Sequence, residues 1–561
     1  MSVLIKNIKE EIKKGINDSA EKLYKSGVFC AVPEKDFNIE IPQDTSFGDF
    51  SANAAMVWAK ELRANPRAIA ENIVKTFKTN ENILKVDTAG PGFLNFTLSD
   101  RFFSNIIFDV LSKKENYGRS NYGDGKRVLV EFVSANPTGP MHIGNARGGA
   151  LGDGIASVMD FAGYQTFREF YINDAGNQIE KFKSSLEARY LQIYDKTVEM
   201  PENSYLGEDI IVHAENFNKE YGDKYLNVSS EERKQALCDF ALPKNIEGLK
   251  EDLAKYRIFY DNWFKESSLH KSGRVAEILE SLKKSGYTYE KDGALWFNSQ
   301  KLGDEKDRVL VRADGVPTYV VPDIAYHYDK IVTRNFDIAI DVLGADHHGY
   351  VPRLKAALTA LGADAEKLKV VIMQMVRLVK NGETYKLSKR SGKAVTLSTL
   401  LDEVPLDAAR FIFNSKEPNT HLEFDLDLAV EQSSSNPVYY VQYAHARICS
   451  ILRNLKEQKT EPKDLEASEY DILTQPEERE LVRHIANFTD EIILSAKDMD
   501  PSKITKYAYD TATKFHKFYN ACRVRCEDEK LMYARLNLCI ATKIVLKNCF
   551  DILKIEAPES M

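Results

Sequence analysis

Two short segments hold most of the residues whose types and spacing could do chemistry. The first runs Glu131-Phe-Val-Ser134-Ala-Asn136-Pro137-Thr138-Gly139-Pro140-Met-His142-Ile-Gly144-Asn145. It joins an apolar, β-branched run at 127–135 to a small-residue run from about Asn145 to Phe161. That pattern predicts strand, loop, helix. A helix N-terminus offers unpaired N–H groups and positive potential, which suit a phosphate. His142 can donate to a phosphate oxygen, and Gly144 removes the side chain that would keep a nucleotide from the backbone. An isolated His-x-Gly is commonly only a turn with a satisfied histidine. The length of this segment favours the functional reading.

The second segment is Tyr385-Lys386-Leu387-Ser388-Lys389-Arg390-Ser391-Gly392-Lys393, with four cations in eight residues. Lysines set against the α- and β-phosphates of a nucleotide lower a barrier by neutralising developing charge, with no covalent step of their own. The plain alternative is a solvated basic turn, and short motifs of this kind produce many false matches. Held about 245 residues apart in one chain, the two segments point together to one ATP site.

Elements must position these groups. The strand–loop–helix at 127–161, with strand-like runs at 308–312, 338–343 and 370–375, predicts a doubly wound parallel α/β sheet. Ligands in such sheets sit beyond the carboxyl ends of the strands. Residues 180–300 are charged and helical and suggest an insertion outside the core sheet. Residues 1–115 suggest a separate α/β module. In it Ile5, Ile8, Ile12 and Ile16 form a helical stripe against a small sheet, and 90–98 is a turn followed by a strand. Residues 113–118 suggest a linker. From about 405 onward only helical periodicity is visible, which predicts an all-α C-terminal domain.

Composition bounds the rest. At 561 residues, 43% hydrophobic and 29% charged, the chain can bury several cores. A net charge of −8 excludes a uniformly basic nucleic-acid coat but not a local basic face. The seven cysteines, with no Cys-x-x-Cys pair, suggest free thiols in a reducing compartment and neither disulfides nor a zinc site. No apolar run reaches the roughly 20 residues a bilayer span needs, so the expected location is the cytoplasm.

The paired segments resemble the HIGH and KMSKS signatures of class I aminoacyl-tRNA synthetases, and the long form of the first resembles arginyl-tRNA synthetase. Further stretches are similar to that family: 47–51, Tyr171 to Gln178, Asp261 to Glu266, Asp307 to Arg312, Thr318 to Tyr326, Gly344 to Gly349 and 557–561. Asn145 stands where the signature has a second His, and Leu387 and Arg390 depart from the second signature.

The resemblance implies three units. These are a tRNA-contacting module at 1–115, a Rossmann-like catalytic domain at 116–404, and an α-helical anticodon-binding domain at 405–561. It implies ATP with Mg²⁺, L-arginine and tRNA(Arg) as substrates. It implies no zinc, no organic cofactor, no membrane or DNA partner, and a monomer. His142, Asn145, Lys386 and Lys389 would be catalytic. ATP would meet these and Pro140, Gly144, Gly344, Asp346, His347, Val376 and Ser388.

A planar, permanently charged guanidinium calls for a carboxylate able to accept a bidentate fork. Asp323, with Tyr319 one helical turn earlier, is the expected pair. By the same resemblance Glu131, Ser134 and Asn136 would hold the α-amino and carboxylate groups, with His142 and His347 close by.

For RNA, the segment from Lys503 to Lys554 carries eleven Lys and Arg against five Asp and Glu, interleaved with Tyr507, Tyr509, Phe515, Phe518, Tyr519 and Tyr533. Cations for the backbone and aromatic faces for bases serve single-stranded recognition. The expected contacts are Tyr439, Tyr443, Arg447, Tyr519 and Arg523, His445 as a further candidate, and Phe50 and Asn53 in the N-terminal module. The rivals are a synthetase for cysteine or glutamine and a catalytically silent RNA-binding relative. The missing Cys/His cluster, the Tyr319/Asp323 pair and the intact His142, Lys386 and Lys389 argue against them.

Overall fold

The computed structural model describes residues 3–42, 47–385 and 395–561. Its centre is a five-stranded parallel sheet of β1 (Arg127–Glu131), β2 (Gln165–Ile172), β3 (Asn262–Lys265), β4 (Ile338–Gly344) and β5 (Leu368–Met373). Their spatial order is β5-β4-β1-β2-β3. Succession reverses between β1 and β4, which opens a crevice at the carboxyl ends of those two strands. β1 is buried on both faces, as its Val-Leu-Val run requires.

Helix α1 (Ile143–Phe161) follows the loop after β1 and is buried along almost its whole length. Small residues make that possible. A Cβ at Gly152 would come within 2.2 Å of the Phe132 ring, so helix and strand approach closely only with glycine there. Helix α2 (Val320–Tyr328) runs on into a π-helical turn at Asp329–Thr333, and α3 (Val351–Ala360) follows β4.

The N-terminal module has an antiparallel sheet in the order Ile39–Glu40, Phe50–Ala52, Phe93–Leu98, Ile83–Ala89. The helix Val3–Lys25 lays Ile5, Ile8, Ile12 and Ile16 into the core. The C-terminal part is helical, with α4 (Pro437–Glu457), α5 (Ser502–Ala521) and α6 (Glu529–Leu553) packed together. Arg410, wholly buried, ties it to α1. It donates to Asp153 Oδ2 at 2.5 Å and to the carbonyls of Tyr256 and Leu553 at 2.8 Å.

Four expectations are corrected. The stretch 180–300 is not wholly an insertion, because β3 is an edge strand of the central sheet; four residues are too few to show a period. The run 308–312 pairs antiparallel in a separate three-stranded sheet with Thr288–Lys291 and Ala294–Phe297. The part beyond 405 is not free of strand, since Leu422–Asp425 pairs parallel with Val376–Lys380. The expected linker at 113–118 is packed: Tyr117 is buried and its hydroxyl donates to the Ile485 carbonyl at 3.0 Å.

Candidate active site

A cleft of about 1530 Å³ lies at the switch point between β1 and β4. Its floor begins where β1 ends. Val133 and Ser134 both have positive φ, +69° and +42°. That backbone is costly for a β-branched residue, on the order of 1–3 kcal/mol, and such strain concentrates at functional sites. Here it turns Ser134 back on the strand. Its Oγ donates to Glu131 Oε1 at 2.8 Å and accepts the Tyr171 N–H at 3.1 Å. The loop beyond is held by the helical insertion, where Asn245 Nδ2 donates to the Pro137 carbonyl at 3.0 Å.

Asn136, Pro140, His142, Gly144 and Asn145 all line this cleft. Asn145 also holds the backbone in place, since its Oδ1 accepts the His142 N–H at 3.0 Å and caps α1. A Cβ on Gly144 would meet no atom of the described residues within 4 Å, and its φ is not in the left-handed region. Among the described residues, neither packing nor backbone demands glycine at that position.

The backbone around His142 is bridged to Thr396: Ile143 N–H donates to the Val395 carbonyl at 3.1 Å and Leu397 N–H to the Met141 carbonyl at 2.9 Å. Lys386, Ser388 and Lys389, with Leu387 and Arg390, lie outside the described residues. Gly344, Asp346 and His347 line the cleft from the end of β4. His347 Nε2 and Asp346 Oδ2 are 3.4 Å apart and exposed. Val376 is not a lining residue; its neighbours Gln374 and Met375 are.

At the other end, Tyr319 and Asp323 share the cleft wall. Tyr319 is 68% exposed at the N-cap of α2, and Asp323 lies in that helix's first turn. Asp323 accepts a hydrogen bond from the Tyr350 hydroxyl. Burial pushes its carboxyl up to about 6, against Tyr350 and His327, which pull it down. Tyr171 lines the same region, and burial together with the charges of Asp323 and Glu266 holds its hydroxyl neutral.

The sequence assigned no role to Tyr350, Tyr171 or Lys330. Lys330 is wholly buried. Its ammonium donates to Glu131 Oε2 at 2.5 Å and to Asp341 Oδ1 at 2.7 Å. Glu131 stands in register with Asp341 on β4 and Glu169 on β2, a row of three carboxylates. Arg334 and the Tyr326 hydroxyl engage Glu169, and His327 Nε2 lies 2.7 Å from Asp341 Oδ2. A Lys following Tyr-His-Tyr-Asp looks like an exposed helix end, so no local pattern could have marked it.

Arg147 is also buried, and the carbonyls of Gln374, Thr420 and Glu417 accept from it at 2.6, 2.9 and 3.1 Å. Nothing in the segment after His142 marks it as more than a helix cation.

The expected RNA contacts divide. Tyr439 and Tyr443 stack along α4 with centroids 6.3 Å apart. The Arg447 guanidinium lies 4.4 Å over the Tyr519 ring, so α4 and α5 present one aromatic and basic face. Arg523 is exposed beyond α5. His445 is buried, with Nδ1 2.9 Å from the Pro558 carbonyl, so it is withdrawn from RNA. Tyr507, Phe515 and Phe518 are bundle core. Phe50, at 2% exposure, faces the core of its module, because β-strand alternation turns it inward. Asn53 Oδ1 accepts the Asn38 N–H at 2.9 Å.

Comparison with known proteins adds three matches that together span most of the chain. The description "Arginyl tRNA synthetase N terminal domain" matches residues 6–98, "tRNA synthetases class I (R), catalytic domain" matches 106–451, and "DALR anticodon binding domain" matches 441–561. A protein of Ruminiclostridium cellulolyticum named arginine–tRNA ligase is 52% identical over 557 residues, 99% of each chain. One of the same name from Acetivibrio thermocellus is 50% identical over 564 aligned positions, 100% of each. The Thermus thermophilus arginyl-tRNA synthetase structure shares the fold, with a TM-score of 0.75, 23% identity, and coverage of 98% of this chain and 100% of that one.

Proposed function

This chain belongs to the arginyl-tRNA synthetase family, and from that premise we propose how its cleft works. The chain is an enzyme that joins arginine to tRNA(Arg) with ATP. In our reading the arginine guanidinium meets Asp323, with Tyr319 beside it, while Glu131, Ser134 and Asn136 take the α-amino and carboxylate groups. The observation that supports this reading is that one cleft at the β1/β4 crevice is lined by both sets of residues.

ATP enters as its Mg²⁺ complex, a substrate carried on its own phosphates. His142, Gly144 and Asn145 at the start of α1, with Pro140, Gly344, Asp346 and His347, form the nucleotide end; we keep Val376 there as a backbone neighbour. The arginine carboxylate attacks the α-phosphorus, the bond to pyrophosphate breaks, and arginyl-adenylate forms. Lys386 and Lys389, with Ser388, neutralise the charge that develops on the phosphates. A terminal ribose hydroxyl of tRNA then attacks the activated carbonyl, and AMP leaves. Positioning and charge neutralisation do most of the work.

For tRNA, we assign the anticodon to the face of Tyr439, Tyr443, Arg447, Tyr519 and Arg523 in 405–561. We assign the elbow to the 1–115 module near Asn53. The working unit is taken as a cytoplasmic monomer without zinc, organic cofactor, membrane or DNA partner.

The test is Asp323→Ala in arginine-dependent aminoacylation, alongside each of the other amino acids. Loss of a carboxylate paired with a buried guanidinium should lower kcat/KM for arginine by about a hundredfold or more. A variant that charges tRNA with arginine at nearly unchanged KM and kcat would remove Asp323 from the pocket.

A further inference from the structure

Two carboxylates lie side by side where β1 and β4 part. Glu131 and Asp341 are register partners, and both line the cleft. Like charges at that spacing repel, and without a cation one of them would take up a proton. Lys330 supplies the cation from below, between Glu131 Oε2 and Asp341 Oδ1.

Burial works against the Lys330 charge, but Asp341, Glu131 and Glu169 outweigh it and hold the ammonium above the usual lysine range. The Tyr326 ring packs 4.2 Å from Nζ. The outer carboxylates have other partners: Glu169 has Arg334 and Asp341 has His327. For Asp341, burial is outweighed by Lys330 and His327, which hold it well below the usual carboxylate range. Among the described residues, Glu131 has Lys330 on one oxygen and Ser134 on the other.

The position of Lys330 in the chain matters. It sits in the π-helical turn that continues α2, seven residues beyond Asp323. Seven helical residues span two turns, roughly 10 Å, and return to nearly the same face. His327 lies between them on that face, with Nδ1 2.7 Å from the Asp323 carbonyl. One helical element thus carries the carboxylate at one end of the cleft and the cation that orients the carboxylate at the other. Wide π turns recur at functional sites because they re-aim a side chain that an α turn would misplace.

We propose that Lys330 is a positioning residue for the amino acid: it fixes the Glu131 carboxylate so that its Ser134 edge meets the substrate's α-ammonium at a set distance from Asp323. This rests on the assignment of Glu131 to the α-amino group made above.

The experiment compares Lys330→Met, the paired variant Lys330→Met/Asp341→Asn and Glu131→Gln with the parent enzyme, by thermal unfolding and by steady-state aminoacylation with arginine and ATP varied separately. The single Lys330 variant leaves two buried carboxylates without their ammonium and can lose stability for that reason alone. The paired variant removes one charge of each sign and should fold. In it we expect the arginine KM to rise about tenfold or more, the loss that follows when a charge-assisted hydrogen bond is misaligned, with the ATP KM within about twofold of the parent. A paired variant with parental stability and parental arginine KM, beside a Glu131→Gln enzyme whose arginine KM does rise, would reduce Lys330 to a staple between strands and overturn the proposal. Equal rises in the arginine and ATP constants would do the same. An unchanged arginine KM in Glu131→Gln would overturn both this inference and the Glu131 assignment beneath it.

Discussion

The N–H of Ile143 donates to the carbonyl of Val395 at 3.1 Å, which joins the first turn of α1 to the chain just beyond the basic segment. Main-chain pairing thus sets residues 395–397, which follow the basic segment in sequence, beside His142. Ile143→Pro removes this donor, yet proline suits a first helical position, and His142 is already extended, as a residue before proline must be. Stability should fall by no more than about 1–2 kcal/mol. The arginine-activation rate should fall about tenfold, because misregistration of charged groups at a phosphate is costly. Pyrophosphate exchange in the presence of tRNA measures it; a parental rate would show that the bridge is only structural.

The pH dependence should report Asp323. With its carboxyl pushed up to about 6 by burial, the ionised form that a guanidinium needs is lost as pH falls through that value. One unit lower, about a tenth remains ionised, so kcat/KM for arginine should drop about tenfold. The stability sign is opposite. A carboxyl with a raised folded value contributes stability below its ordinary value and loses it as pH rises through 6. Asp323→Asn should therefore unfold at an equal or higher temperature than the parent at pH 7.5 while losing the acid limb near 6.

Among the described residues Arg147 has three carbonyl acceptors and no acidic hydrogen-bond partner, and burial lowers its guanidinium to about 10. Arg147→Met relieves a buried charge but strands carbonyls at residues 374, 417 and 420. The second effect should win, with a net loss of about 2 kcal/mol in denaturant unfolding. Gln374 and Met375 line the cleft, so the ATP KM should rise with it.

The face we assign to the anticodon should be separable from the cleft in its effects. Arg447→Ala combined with Tyr443→Ala should raise the KM for tRNA at least tenfold, since a stacked base is worth about 1–3 kcal/mol. The KM values for arginine and ATP should stay close to the parent's. Equal weakening of all three substrates would point to unfolding of α4 and not to lost RNA contacts.

Much of the frame was legible in the sequence. The Ile stripe of the N-terminal helix, the Val-Leu-Val of β1 and the small-residue run of α1 each carry their own period or composition, and burial followed them. Family resemblance supplied what periodicity could not, the link between the His142 segment and the Lys386 segment. Short elements escaped. β3 and the strand Leu422–Asp425 have four residues each, too few to alternate visibly, and both owe their conformation to a neighbouring strand.

By itself the sequence determined which residue types were present to bind a nucleotide and a guanidinium, because motif residues stay fixed in order along the chain. The tertiary structure decided which charges share a space. It set Glu131, Asp341 and Glu169 in one register, put Lys330 beneath them, and turned Phe50 and His445 inward. Those outcomes depend on pairing and packing between segments as much as 200 residues apart (131 to 330 is 199), and a buried ammonium looks no different in a sequence from an exposed one until its partners are in place.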